Sequence, residues 1–262
     1  MRILYLHVLI VFLPSSAFAD PPADVANREL TNQSSVDEIL DALDAREKGF
    51  KTFTASVKLS ETATDFEDVT ARSGKVVYQD QGDGKARIRV SFDTLQKNEG
   101  KKINEKLDYE LIDGKLIERN YKTHSQTTQQ VIRPGQKIDV FKLGEGPFPL
   151  PIGQPKEEVH KQFDVKKADA SKDNPDPPAT VHIQLIPNAE TRLAQKFKQI
   201  DVWPEVKSHM PIRITTRDHN ETMDRTTELS DVKINPQVSD QDLDLGKLPD
   251  PNWNVTEQPY QE

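Results

Sequence analysis

The stretch His209–Val238, HMPIRITTRDHNETMDRTTELSDVKINPQV, decides how this chain is read. Ile212 and Ile214 alternate with Arg213 and Thr215, the pattern breaks at His219-Asn220, and a further run follows from Arg225 to Ile234. Period-two alternation of apolar and polar side chains marks a strand with one buried face, and a polar break between two such runs marks a hairpin. Leu229 is out of phase with Val232 and Ile234, which predicts a bulge or bend near Ser230-Asp231 and hence local curvature. His209 and His219 flank the first run and are read as exposed at its ends.

The same alternation recurs upstream. Phe53, Ala55, Val57 and Leu59 alternate with Thr54, Ser56 and Lys58; Gly74 to Tyr78 is short and β-branched; Ala86, Ile88, Val90 and Phe92 alternate with Arg87, Arg89 and Ser91. Leu107, Tyr109 and Leu111 lead to a tight turn at Asp113-Gly114, a return over Leu116 to Tyr121, and a closing run at Gln129 to Ile132. Val181, Ile183 and Leu185 begin a second group, followed by Lys196 to Trp203. The count is about nine or ten strands. One apolar and one polar face per strand predicts an antiparallel sheet covered on one side only. Neither half carries a second helix layer, so one continuous sheet is expected instead of two domains.

One helix stands out. Ser35-Val36-Asp37-Glu38 is a capping box, and Val36, Ile39, Leu40 and Leu43 follow at helical spacing before Gly49. The centre is irregular: Phe141 to Pro155, FKLGEGPFPLPIGQP, has four prolines and three glycines, which oppose helix and strand, yet its large apolar side chains need cover. Glu157 to Phe163 reads as a helical turn, and Lys166 to Ala179 as a polar, proline-rich surface loop.

The ends are read separately. Arg2, the apolar run Ile3 to Leu13 and Ala17-Phe18-Ala19 form a secretory signal peptide over residues 1–19. Residues 20–34 are read as a disordered leader, 35–249 as the folded domain, and 250–262 as a polar tail with Trp253 as its one anchor. The chain has no cysteine, which excludes disulfides, thiol catalysis, thiolate metal sites and a lipidated cysteine at the cleavage site. Its net charge of −8, one unit more negative without Arg2, argues against phosphate-driven nucleic-acid binding. Lys97, Lys101, Lys102 and Lys106 are interleaved with Glu99 and Glu105 and read as a solvated loop.

Sequence motifs for chemistry are not found. No histidine pair has zinc spacing, and there is no nucleophile elbow, Walker motif or dinucleotide glycine pattern. Gly82-Asp83-Gly84 is read as a hairpin turn, and Asp65, Glu67 and Asp68 as a solvated turn without calcium-loop spacing. Neither enzyme activity, metal nor cofactor is expected.

The order of elements resembles the LolA/LolB-type periplasmic lipoprotein carriers over roughly Val36 to Leu248. The helix Val36 to Arg46 followed by FKTFTASVKL, then SGKVVYQ, the Asp113-Gly114 hairpin, GPFPLPIG, and the hairpin with P-x-R-I and E-L-S-D-V-K-I-N carry the resemblance. It implies a mainly β (α+β) fold: a curved antiparallel sheet forming an incomplete β-barrel, with an N-terminal helix and a central lid-like segment. It further implies a periplasmic carrier that holds lipoprotein acyl chains or other lipid in an apolar cavity for transfer towards the outer membrane. Partners would be an inner-membrane exporter and an outer-membrane acceptor, with the protein a monomer. Where the family has an Arg-Pro latch after its second strand, this chain reads Asp80-Gln81-Gly82-Asp83, so the latch is missing or rebuilt. The expected lining is Ile88, Val90, Phe92, Tyr109, Leu111, Phe148, Leu150, Ile183, Leu185, Ile212 and Ile214, each of which could equally be ordinary core. The alternative is a module of the same fold that binds a protein partner or senses envelope stress without transport.

Overall fold

The computed structural model describes residues 28–47, 49–82, 85–132, 153–170 and 175–260. Helix α1 (Val36–Glu47) starts on the expected box: Glu38 N–H donates to Ser35 Oγ at 3.2 Å, and Ser35 N–H donates to the Glu38 carboxylate at 2.8 Å. Both interactions satisfy donors that a helix start leaves open. Six strands then run as a meander: β1 (Thr52–Ala63), β2 (Asp68–Gly82), β3 (Lys85–Lys97), β4 (Ile103–Ile112), β5 (Lys115–Asn120) and β6 (Ser125–Gln130). A second series follows: α2 (Lys156–Gln162), β7 (Phe163–Lys167), β8 (Ile183–Pro187), a 3-10 turn at Arg192–Gln195, β9 (Phe197–Pro204), β10 (Pro211–Asp218), β11 (Met223–Ile234), α3 (Asp240–Leu243) and β12 (Asn254–Gln258).

All twelve strands form one sheet in the order β12-β6-β5-β4-β3-β2-β1-β11-β10-β9-β8-β7. The sheet is curved and not closed into a barrel. The two series join where β11 pairs antiparallel with β1. Bulges supply curvature: Asp231 and Val232 oppose the single Ala55, with Asp231 at φ 52°, as the phase slip after Leu229 predicts. The Asp113-Gly114 turn has positive φ at both residues, 50° and 74°, the two-residue hairpin form that matches strand twist.

Alternation sorts the sheet into two faces. The inner face carries Phe53, Ala55, Val57, Val76, Tyr78, Ile88, Val90, Phe92, Leu107 and Leu111, joined with Ile39, Leu40 and Leu43 of α1 and Val159 of α2 in one core. Each of the three α1 anchors is at most 2% exposed, and burying a side chain of that size stabilises by about 1.5–3 kcal/mol. Phe50, Phe53 and Tyr78 stack at the helix end of the sheet, with ring centroids 5.4–6.2 Å apart. α2 is tied to α1 by Lys156–Asp41 at 2.8 Å and His160–Asp37 at 2.9 Å.

The structure corrects several expectations. Two further strands, β7 and β12, lie outside the sequence-based set, and the third run of the meander is Ser125–Gln130. That run, SQTTQQ, is half-buried on both faces and has no apolar rhythm to reveal it. The sheet is not wholly antiparallel, because β12 pairs parallel with β6. Its outer face is not bare either: residues 239–246 cross it and bond to Arg89, Arg119 and Glu110, with Asp240 3.7 Å from Arg87, and Arg87, Glu110 and Arg119 are buried. Within the expected leader, Leu30 is buried and its N–H donates to the Val206 carbonyl, so residues 28–34 belong to the folded body. Within the expected tail, Trp253 is buried edge-on against Tyr121 and leads into β12. His209 is also not exposed: it is 2% accessible, and its Nε2 lies 3.0 Å from the Arg28 carbonyl, because the N-terminal segment returns across this strand end. His219 is exposed as expected. Residues 1–27, Asp83-Gly84 and the central stretch 133–152 lie outside the described residues.

Candidate functional site

The expected lining comes from two groups of strands, β3–β4 and β8–β10, separated in the sheet by β2, β1 and β11. Curvature brings both groups into the same inner core. Ile88, Val90 and Phe92 are each 3% exposed, Leu111 1%, Ile183 and Leu185 0%, and Ile214 4%. Ile212 and Tyr109 are half-buried and pack against that core. Phe148 and Leu150 lie outside the described residues. The inner face is therefore a continuous apolar surface whose described members pack against one another.

The polar edge of this face is built around Tyr109. Its ring meets Phe92 edge-on at 6.3 Å. Burial pushes the phenol up to about 12, and the neighbouring Glu118 carboxylate adds to the shift. Beside it, Arg72 pairs with Glu105 at 3.0 Å, and Lys122 reaches the same carboxylate at 2.7 Å. The Lys122 hydrogen bond above all, with the Arg72 contact, holds Glu105 below the usual carboxylate range. An apolar floor with a charged rim at one end suits an amphiphile, whose chain and head need different surroundings.

The outer face holds a second constellation that sequence reading did not assemble. His182 is buried, stacked on Trp203 at 4.1 Å, with Nε2 at 2.9 Å from Asp201 and Nδ1 at 3.3 Å from Asp176. Trp203 Nε1–H donates to Asp176 at 2.7 Å, and the Arg213 guanidinium lies over the indole at 5.3 Å. These residues come from β9, β10 and the segment before β8, and no sequence spacing links them. Next to them is a recess of about 510 Å³ between Pro177 and the outer sheet surface, with Lys58, Arg213 and Glu228 on its wall. Lys58 and Arg213 share the single Glu228 carboxylate, at 3.1 and 3.0 Å. Among the described residues no group of three or more His, Asp or Glu is placed to hold a metal ion, and no helix is long and apolar enough to cross a membrane.

No family model and no curated protein matches the chain. Solved structures do resemble it. An uncharacterized conserved protein from Thermus thermophilus shares 12% identity at TM-score 0.47, over 86% of this chain and 100% of that one. The MucA/MucB complex of Pseudomonas aeruginosa gives 11% identity at TM-score 0.43, over 80% of this chain; the match spans only 60% of that chain. A LolA superfamily protein from Nitrosomonas europaea gives 8% identity at TM-score 0.31, over 80% and 98% of the two chains. Such likenesses concern the fold alone. The architecture itself, an open curved sheet with helices against its inner face, is the mainly β fold class expected from the sequence.

Proposed function

We propose that the protein is an exported, non-catalytic binding protein that shelters acyl chains of lipoproteins or other lipid against the inner face of its sheet. The observation that carries this reading is the unclosed, curved sheet with a continuous apolar inner face. Sheltering acyl chains lowers the cost of carrying them through water by about 0.8 kcal/mol per buried CH₂, and the binding itself calls for no cofactor. The charged rim of Arg72, Glu105 and Lys122 would meet the polar head. In a periplasmic setting the cargo would come from an inner-membrane exporter and pass to an outer-membrane acceptor.

Native mass spectrometry and lipid extraction of the purified protein test this directly. Bound acyl species, or saturable uptake of a synthetic lipopeptide, are the expected results. Repeated absence of both would sink the carrier reading. A second reading, a module that binds a protein partner through the same fold, is favoured by the tight packing of Ile183, Leu185 and Leu111. Displacement of an apolar dye by lipopeptide separates the two, since a filled inner face would not take the dye.

A further inference from the structure

Pairing registers place a row of polar side chains across the outer face of the sheet. Arg213 of β10 lies opposite Glu228 of β11, Glu228 opposite Lys58 of β1, and Lys58 opposite Ser73 of β2. In the next row Ser230 lies opposite Ser56. Residues directly opposite each other on neighbouring strands share a face. All of them line the recess of about 510 Å³ between Pro177 and the sheet, a volume within the range of small-molecule sites. Its charges do not balance. Lys58 Nζ and Arg213 Nη2 share one carboxylate, at 3.1 and 3.0 Å from Glu228. Burial pushes the Glu228 carboxyl up, but the Lys58 and Arg213 contacts outweigh it and hold the group below the ordinary carboxylate range, so it stays ionised. The lining thus carries two cations against one anion. At its margin Lys75, opposite Ser56, and Asp231, which accepts from the Ser56 hydroxyl at 2.9 Å, add one charge of each sign.

The donors differ in what they have left to give. The Arg213 guanidinium is engaged with Glu228 and with the Pro175 carbonyl at 2.8 Å, and it lies over the Trp203 ring. Lys58 is 52% exposed, and its ammonium carries three N–H donors, of which one contact is to Glu228. The Ser73 and Ser230 hydroxyls flank Lys58 and make no hydrogen bond with another described residue. An ammonium and two hydroxyls on three neighbouring strands are separate point donors. They suit the spread oxygens of a tetrahedral oxyanion, whereas the flat edge of a carboxylate is read by an arginine fork, and that fork is already taken here. We propose that this recess binds a small phosphate-bearing molecule, with Lys58 and the Ser73 and Ser230 hydroxyls on the phosphate oxygens and Arg213 adding positive charge behind them. The site lies on the opposite side of the sheet from the lipid-binding reading and does not depend on it.

Inorganic phosphate is the probe, titrated at constant ionic strength into the isotope-labelled full-length protein. The Ser73 and Ser230 amide signals should shift and saturate, and acetate at the same concentrations should leave them in place. Lys58→Gln should weaken phosphate binding about fivefold or more. Glu228→Gln removes the carboxylate that competes for Lys58 and should strengthen binding about threefold or more, which a purely structural role of Glu228 would not do. No saturable shift, equal shifts with acetate, or unchanged or weaker binding by Glu228→Gln would each overturn the proposal. Vesicles of phosphatidylglycerol should not sediment the protein. Sedimentation that is lost in Lys58→Gln would make a membrane the source of the phosphate and overturn the assignment to a small molecule. If Glu228→Gln does not fold, Lys58→Gln decides, because its half-exposed side chain can be replaced without opening the core; unchanged affinity in that variant counts against the site.

Discussion

His209 opens the stretch on which the fold reading rests, and its environment has a consequence that can be measured. Burial holds its imidazole below the ordinary value, the nearby Arg46 charge adds to this, and the hydrogen bond with the Arg28 carbonyl opposes it. The unfolded chain takes up a proton near pH ~6.5, whereas the folded chain resists it. The stability gained by keeping His209 neutral is therefore present above that value and is lost as pH falls below it towards the depressed folded value. The urea midpoint should decline between pH ~7.5 and ~5.5, and His209→Gln should flatten that decline; identical slopes in both proteins would refute the account. Gly74 gives a steric counterpart. A Cβ there would sit 1.8 Å from the Ser91 carbonyl oxygen and 2.7 Å from the Phe92 Cα, both of them backbone atoms that cannot move aside alone. Gly74→Ala should cost about 3 kcal/mol, read as a fall in the denaturation midpoint. Neither effect was legible in the sequence. The burial of His209 comes from a chain segment 181 residues away, and the close approach at Gly74 comes from the bulge at Asp93 on the facing strand.

Elements with strong local signals were readable, and those without were not. The capping box at Ser35 is a local signature, and the structure reproduces both of its hydrogen bonds. Ser35→Ala should destabilise the protein by about 1 kcal/mol, while Ser35→Asp should keep most of the cap; denaturant midpoints of the two variants check this. The bulge at Asp231 was readable for the same kind of reason. A period-two pattern that slips phase has to insert a residue, and Asp231 takes the left-handed conformation that aspartate tolerates. β6 and β12 lack apolar alternation, since SQTTQQ and NVTEQ bury little on either face. Their strand state is imposed by the ladder next to them, and so is visible only once the sheet is assembled. The apolar inner face of the strands followed from alternation, and its described residues join one core; Phe148 and Leu150 lie outside the described residues. The Asp176, His182, Asp201 and Trp203 cluster did not, because hydrogen bonds across strands leave no trace in spacing along the chain.

At the scale of the whole molecule, the one-faced sheet expected from sequence acquires cover on its second face from the chain's own C-terminal arm. Polar alternation predicts exposure, and the outer face departs from this most at two places, around His182, Asp201 and Trp203 and between β3 and β5. Between β3 and β5 it fails because the buried charges are matched by each other and by the arm's main chain. A buried ion pair is tolerated while every partner is present, and removing one side costs about 3–5 kcal/mol. The two parts of the arm should therefore behave differently. A chain ending at Lys247 loses β12 and the Trp253 anchor, but keeps Leu243 and the carbonyls that Arg89 and Arg119 bind. It should fold cooperatively, at a cost of about 1–3 kcal/mol, roughly that of one buried aromatic and an exposed parallel ladder. A chain ending at Val238 loses the cover itself and leaves Arg119 and one oxygen of Glu110 without their partners in the arm. Its loss should exceed that of the first truncation by about 3 kcal/mol or more. Urea denaturation followed by tryptophan fluorescence compares them, since Trp203 remains in both chains. Equal midpoints for the two truncations would mean that the arm covers the outer face without stabilising it. A larger loss for the shorter truncation would instead show that the segment over β3–β5 holds the two faces of the sheet in one cooperative unit.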